Sequence, residues 1–152
     1  IKEDILGKVE RTIPSMLNYK VHLGKESMFN TPAVFPIYVS MLTLEWLKNL
    51  GGIPFIEKVN QKKADLLYGE IDRNPLFSGI VAKEDRSIMN ATFSLQDNAL
   101  TDRFDMLWKE ARINGLNGHR SVGGYRASMY NALPLFSVQP LVDTMQELER
   151  KA

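Results

Sequence analysis

His119, Arg120 and Arg126 are the side chains whose types and spacing suit chemistry, and all three lie in "GLNGHRSVGGYRAS", residues 115–128. Four glycines surround the His-Arg pair, and Arg126 opens what reads as a strand. A guanidinium is a planar fork of donors that meets a carboxylate bidentately and stays charged at any useful pH. A protonated imidazole donates from both ring nitrogens. Glycines let a ligand approach the backbone closely. The grouping suits an anion with two charged ends, and phosphate is a good candidate for the His-Arg end. Read blandly, the same residues are a polar loop tip and a solvent-facing strand arginine, since arginines are mostly exposed. The glycine spacing fits neither GxGxxG nor the P-loop, which leaves no basis for a nucleotide site.

Asn30-Thr31-Pro32 reads as a helix start, with Thr at the N-cap and Pro in the first turn. Such a start offers free N–H groups and the positive end of a dipole, a ready anion site. No paired carboxylates for acid–base work are evident. Glu45, Glu57, Asp65, Asp97, Asp102 and Asp105 fall on expected polar helix faces or near caps, where solvation accounts for them. Ser121 is adjacent to His119 along the chain, which is not a catalytic triad. There is no cysteine and there are only two histidines, His22 and His119, which removes disulfides and cysteine-based zinc sites and argues against a metal enzyme.

Formal net charge is +1 with 24% charged and 44% hydrophobic residues, the balance of a soluble globular protein. Nothing in that balance calls for nucleic acid or a membrane surface. No apolar run approaches the roughly 20 residues of a membrane span. With no signal-peptide pattern, a cytoplasmic address is the default. The chain opens on "IKEDILGK" without methionine, and the expectation is a portion of a longer polypeptide.

These residues need elements to position them. Residues 1–31 show no sustained period and read as irregular chain that packs on something else. Apolar residues from Ile37 to Leu50 fall near helical spacing, and Gly51-Gly52 ends that helix. A second helix is expected over Pro54–Ile71, with Lys58, Gln61, Lys62 and Asp65 exposed and "DRNP" as the stop. Residues 77–82 and 87–95 read as strands, the second alternating Met89, Ala91, Phe93 and Leu95 with polar residues. Leu100, Phe104, Leu107, Trp108 and Ala111 mark a third helix, capped at Asn114-Gly115. A strand over Tyr125–Asn131 places Ala127 and Met129 on one face and Arg126, Ser128 and Tyr130 on the other. A last helix begins near Ser137. The order implies an α+β layer, a small antiparallel sheet with helices on one face.

Beyond this reading, "YKVHLGKESMFNTPAVFPIY", "EWLKNLGG", "DRSIMNATFSL" and "GLNGHRSVGGYRASMYNALP" together resemble the C-terminal part of the phosphoserine aminotransferase family, over essentially the entire chain. The resemblance implies a class V, fold-type I pyridoxal 5'-phosphate transaminase working as a homodimer. Residues 1–50 would then be the end of the α/β large domain, an interface segment and a bridging helix, and residues 51–152 the α+β C-terminal small domain. Its reaction exchanges an amino group between glutamate and 3-phosphohydroxypyruvate, giving 2-oxoglutarate and O-phosphoserine, and in bacteria it often extends to a substrate in pyridoxal phosphate synthesis. By position, Asn30 and Thr31 would bind the cofactor phosphate across the dimer. His119 and Arg120 would contact the substrate phosphate or the glutamate side-chain carboxylate, and Arg126 the α-carboxylate. The family's cofactor-bonding lysine lies upstream of this chain, and Lys8, Lys20 and Lys25 lack its context, so these residues alone are expected to be inactive. Phe136 stands where the resemblance leads one to expect an acidic residue. Two other readings stay open: an anion-binding module without chemistry, and a class V transaminase for a non-phosphorylated substrate.

Overall fold

A computed structural model of the chain describes residues 2–152, in two units, one ending at Trp46 and the other spanning Leu47–Ala152. The first holds single 3-10 turns at Glu3–Ile5 and Ser15–Leu17, a short helix α1 (Tyr19–Leu23) and most of α2 (Val34–Asn49). Asn18 caps α1 by accepting from the Lys20 N–H at 3.1 Å, an addition to the irregular chain expected here. None of the described residues of this unit is buried.

The helix α2 begins at Val34, not at Thr31-Pro32. Its first intrahelical bond runs from Ile37 N–H to Ala33 O at 3.2 Å, which puts the cap position at Ala33, two residues beyond Thr31. Its exposed side chains include Phe35, Ile37, Tyr38, Met41, Leu42 and Leu44, so α2 has no polar face to offer water. Gly51, at φ 109°, makes the turn that ends it, as the glycine pair implied.

In the second unit, α3 (Gly52–Arg73) buries Ile56, Ala64, Leu67 and Ile71 along one side and exposes Lys58, Gln61, Lys62 and Asp65. Three strands follow: β1 (Phe77–Gly79), β2 (Asn90–Leu95) and, after helix α4 (Thr101–Glu110), β3 (Tyr125–Ser128). They form one antiparallel sheet in the order β1-β2-β3, with Phe77 opposite Leu95 and Thr92 opposite Arg126. Helix α5 (Gln139–Lys151) closes the chain, entered through a 3-10 turn at Leu135–Ser137 with Pro140 in its first turn.

Period-two burial puts Ala91, Phe93, Leu95, Tyr125 and Ala127 on the covered face of the sheet. The rings of Phe77, Phe93, Phe104 and Tyr125 meet there, Phe104 standing edge-on to Tyr125 at 4.9 Å and Phe93 stacking on Tyr125 at 5.5 Å. Such pairs add to the area they bury. Helix α5 packs on both α3 and α4, and Leu107, Trp108, Leu141, Met145 and Leu148 complete the core. The α+β layer expected from the sequence is present, with helices on one face. Among the described residues no helix is long and apolar enough to cross a membrane.

Strand ends differ from the sequence expectation for identifiable reasons. β1 stops at Gly79 because the connection to β2 is drawn back onto α3: Arg86 forks onto Asp72 at 2.7 and 3.0 Å and lies 4.6 Å over the Tyr68 ring. Helix α4 ends four residues before Asn114-Gly115. Arg112 takes the left-handed turn at φ 59°, and Ile113 N–H donates to Trp108 O at 3.0 Å. β3 ends at Ser128 rather than Asn131, since the carbonyls that follow are taken by a side chain of α3.

Candidate anion-binding site

The glycine stretch is a tight hairpin that doubles back on β3. Gly118 N–H donates to Gly124 O at 2.9 Å, Arg126 N–H donates to Leu116 O at 2.7 Å, and Asn117 bridges Tyr125 between them. At the tip, the N–H groups of Val122 and Gly123 both donate to His119 O at 2.8 Å. Gly118 sits at the neck, where an added Cβ would collide with Gly123 O and stand 2.9 Å from Gly124 O. Gly124 has φ 62°, and its Cβ would stand 2.7 Å from Phe93 O. Gly118 is therefore required by backbone approach within the hairpin and Gly124 by the approach of β2, more local reasons than access for a ligand.

His119 is exposed at the tip. Its Nδ1 accepts from Ser121 N–H at 3.3 Å and lies 2.6 Å from Ser121 Oγ. That arrangement assigns the proton of the neutral ring to Nε2, leaving it as a donor directed away from Ser121. Arg120 is exposed beside it. Arg126 lies on the open face of β3 and, with Arg112, Ser128 and Ser137, lines a cleft of about 260 Å³ floored by Leu116 and Met129. The structure thus places the cations at the two ends of one hairpin and not in a single pocket.

Among the described residues, no carboxylate lies within ion-pair distance of Arg120 or Arg126. Arg73 and Arg86 are paired, whereas Arg11, Arg103, Arg112 and Arg150 share with Arg120 and Arg126 the lack of an ion pair among the described residues. Two guanidinium groups left unneutralised by the protein keep their full attraction for an external anion. Asn30 and Thr31 lie in the first unit, exposed, ahead of α2 and without side-chain hydrogen bonds among the described residues. Phe136 is 77% exposed, and nothing in the structure explains its presence there.

Three residues escaped the sequence reading, two that hold the hairpin and one that binds the segment after β3. Asp105 is not a solvated helix carboxylate: its Oδ1 accepts from Tyr125 O–H at 3.0 Å and from Trp108 Nε1–H at 2.9 Å. Burial, then the hydrogen bond to Asp105, pushes the Tyr125 phenol well above its ordinary range, so it remains a donor. The i, i+3 relation of Asp105 to Trp108 was the available signal. Lys63, the third, lies on the buried stripe of α3 between Ile56 and Leu67.

Residues 4–141 match the model of the family described as aminotransferase class-V. Phosphoserine aminotransferase of Flavobacterium psychrophilum is 66% identical over 99% of this chain, and that of Bacteroides thetaiotaomicron 53% identical over 99%. The chain spans 42% and 43% of the length of these two curated relatives. The solved phosphoserine aminotransferase of Bacillus circulans subsp. alkalophilus superposes with a TM-score of 0.86 at 38% identity, over 99% of this chain and 42% of that one. The PLP-bound enzyme from Trichomonas vaginalis does so at 0.78 and 33% identity, over 91% of this chain and 40% of that one. With a family model covering most of its length, the chain belongs to the class-V aminotransferases.

Proposed function

We propose that this chain is the C-terminal portion of a phosphoserine aminotransferase, exchanging an amino group between glutamate and 3-phosphohydroxypyruvate. The carrying observation is 66% identity over 99% of the chain to a protein of that name. Two cationic groupings at opposite ends of one hairpin, free of acidic partners, support it. In this reading Arg126 takes the substrate α-carboxylate, and His119 with Arg120 takes the phosphate or the distal carboxylate of glutamate.

Pyridoxal 5'-phosphate would be shared between this chain and the rest of the polypeptide. The residues present fit that division. Asn30 and Thr31 carry uncommitted polar side chains suited to a phosphate, whereas Lys63, the buried lysine, has its ammonium fully occupied by carbonyls and is no attachment point for an aldehyde. When bound, the cofactor supplies the electron sink for the substrate carbanion. The contribution of this chain is positional. Gripping both anionic ends of one substrate fixes its reacting carbon, and such orientation lowers a barrier by several kcal/mol. Residues 1–50, homodimer formation and a cytoplasmic address belong to the same proposal, with the first unit closing on the large domain.

The test uses the complete polypeptide. Arg126→Lys should lower kcat/KM for both amino donors by about a hundredfold, because a single ammonium cannot replace the fork. Arg120→Ala should penalise the phosphorylated substrate well beyond an unphosphorylated analogue. Unchanged kinetics for Arg126→Lys, or equal losses for Arg120→Ala, would remove the assignment.

A further inference from the structure

Lys63 is completely buried, yet it occupies a stripe of α3 where Ile56, Leu67 and Ile71 are apolar. A methionine would fill similar space without the cost of burying an ammonium. The three N–H groups of that ammonium meet three backbone carbonyls: Met129 O at 2.9 Å, Tyr130 O at 2.8 Å and Leu133 O at 3.0 Å. No carboxylate pairs with it among the described residues. Its charge is balanced by carbonyl dipoles alone.

Those carbonyls belong to the strap that carries the chain from β3 towards α5. Leu133 N–H donates to Tyr130 O at 2.9 Å, closing a turn around the ammonium. One turn earlier on the same side of α3, Asn60 donates to Asn131 Oδ1 at 2.8 Å while its own Oδ1 stays buried without a partner. On the sheet side, the strap keeps one ladder bond, Met129 N–H to Met89 O at 2.7 Å. Without Lys63, the buried Met129 O and the part-buried Leu133 O would lose their donor, and Tyr130 O would keep only the Leu133 N–H. Arg126 lies three residues before Met129, at the other end of a strand only four residues long.

We infer that Lys63 is a positioning residue for carboxylate recognition, holding the strap Met129–Leu133 so that β3 presents Arg126 at a fixed height. This rests on the role proposed above for Arg126. A shift of about 1 Å in a gripping group is enough to cost orders of magnitude in turnover efficiency.

The experiment compares three variants of the complete, cofactor-loaded polypeptide: Lys63→Met, Leu148→Ala as a core-destabilising control, and Arg126→Lys. Lys63→Met should raise KM for the amino donor about tenfold with kcat held within about twofold, and Leu148→Ala should leave KM unchanged. An unchanged KM in Lys63→Met, or an equal rise in Leu148→Ala, overturns the inference while Arg126→Lys still reports on the clamp. If Arg126→Lys has no effect, the reading of Arg126 fails and takes the inference with it. Should Lys63→Met not fold, Asn131→Ala loosens the same strap with the ammonium kept. A KM rise of about threefold then supports the inference, and no rise overturns it.

Discussion

Tyr125 and Asp105 are joined by a 3.0 Å hydrogen bond that ties β3 to α4 one residue ahead of Arg126. The tyrosine ring sits in the aromatic core while its hydroxyl reaches a half-buried carboxylate that also serves Trp108. Tyr125→Phe should cost about 1 kcal/mol, one net hydrogen bond. Asp105→Ala strands two donors and should cost about 2–3 kcal/mol. Urea denaturation of both variants measures the difference; equal losses would show that the Trp108 bond contributes nothing.

Gly118 and Gly115 offer a contrast within one loop. Gly115 has open space where a Cβ would go and only its φ of 71° to resist substitution, so Gly115→Ala should cost about 1 kcal/mol. Gly118→Ala drives the hairpin neck apart. Hydrogen exchange should show the Gly118 and Arg126 amides losing protection while the Phe93 amide keeps it. Intact protection at Gly118 would contradict the neck geometry.

The parts of the fold written in side-chain period were legible in the sequence. Phe104, Leu107 and Trp108 announced α4, and the alternation from Ala91 to Leu95 announced β2, because burial repeats with the geometry of the element. Ends were less legible. Arg86, Asp72 and Lys63 shorten strands through contacts with residues distant in sequence, which no local pattern encodes. In the candidate site, the cations were visible by type, but the residues that hold them were not. Asp105 looked like any polar helix residue until Tyr125, 20 positions later, was brought to it.

Acid should act through Asp72. The hydrogen bond from Arg86 comes first in holding its carboxyl down at about 2; burial opposes this, and Lys83 helps. Its value in the unfolded chain is about 4. The stabilisation is therefore complete above about pH 4 and is lost as pH falls towards about 2. Glu70 is also lowered, its hydrogen bonds from Arg73, Asn74 and Gln146 prevailing over burial, and it adds loss of the same sign. Asp72→Asn should lower the urea midpoint at pH 7 and flatten its decline over that acid window. A parallel decline in both proteins would refute the assignment.

Residues 47–152 contain the buried core, and the first unit contributes no buried residue. Expressed alone, 47–152 should unfold in one cooperative transition by near- and far-UV circular dichroism together. Residues 1–46 alone should show no such transition, since they bury too little to offset chain entropy. Coincident melting of 1–46 would contradict this division.

Because Leu116 and Gly118 are hydrogen-bonded to Arg126 and Gly124, the tip from His119 to Gly123 cannot creep along the strand. The hairpin is in effect a calliper whose jaw opening is set by how many residues the tip contains. On the proposed reading, lengthening or shortening that tip would retune which metabolite lengths are accepted and leave the hydrophobic interior untouched. Divergence in substrate preference among relatives should accordingly be sought first in tip length.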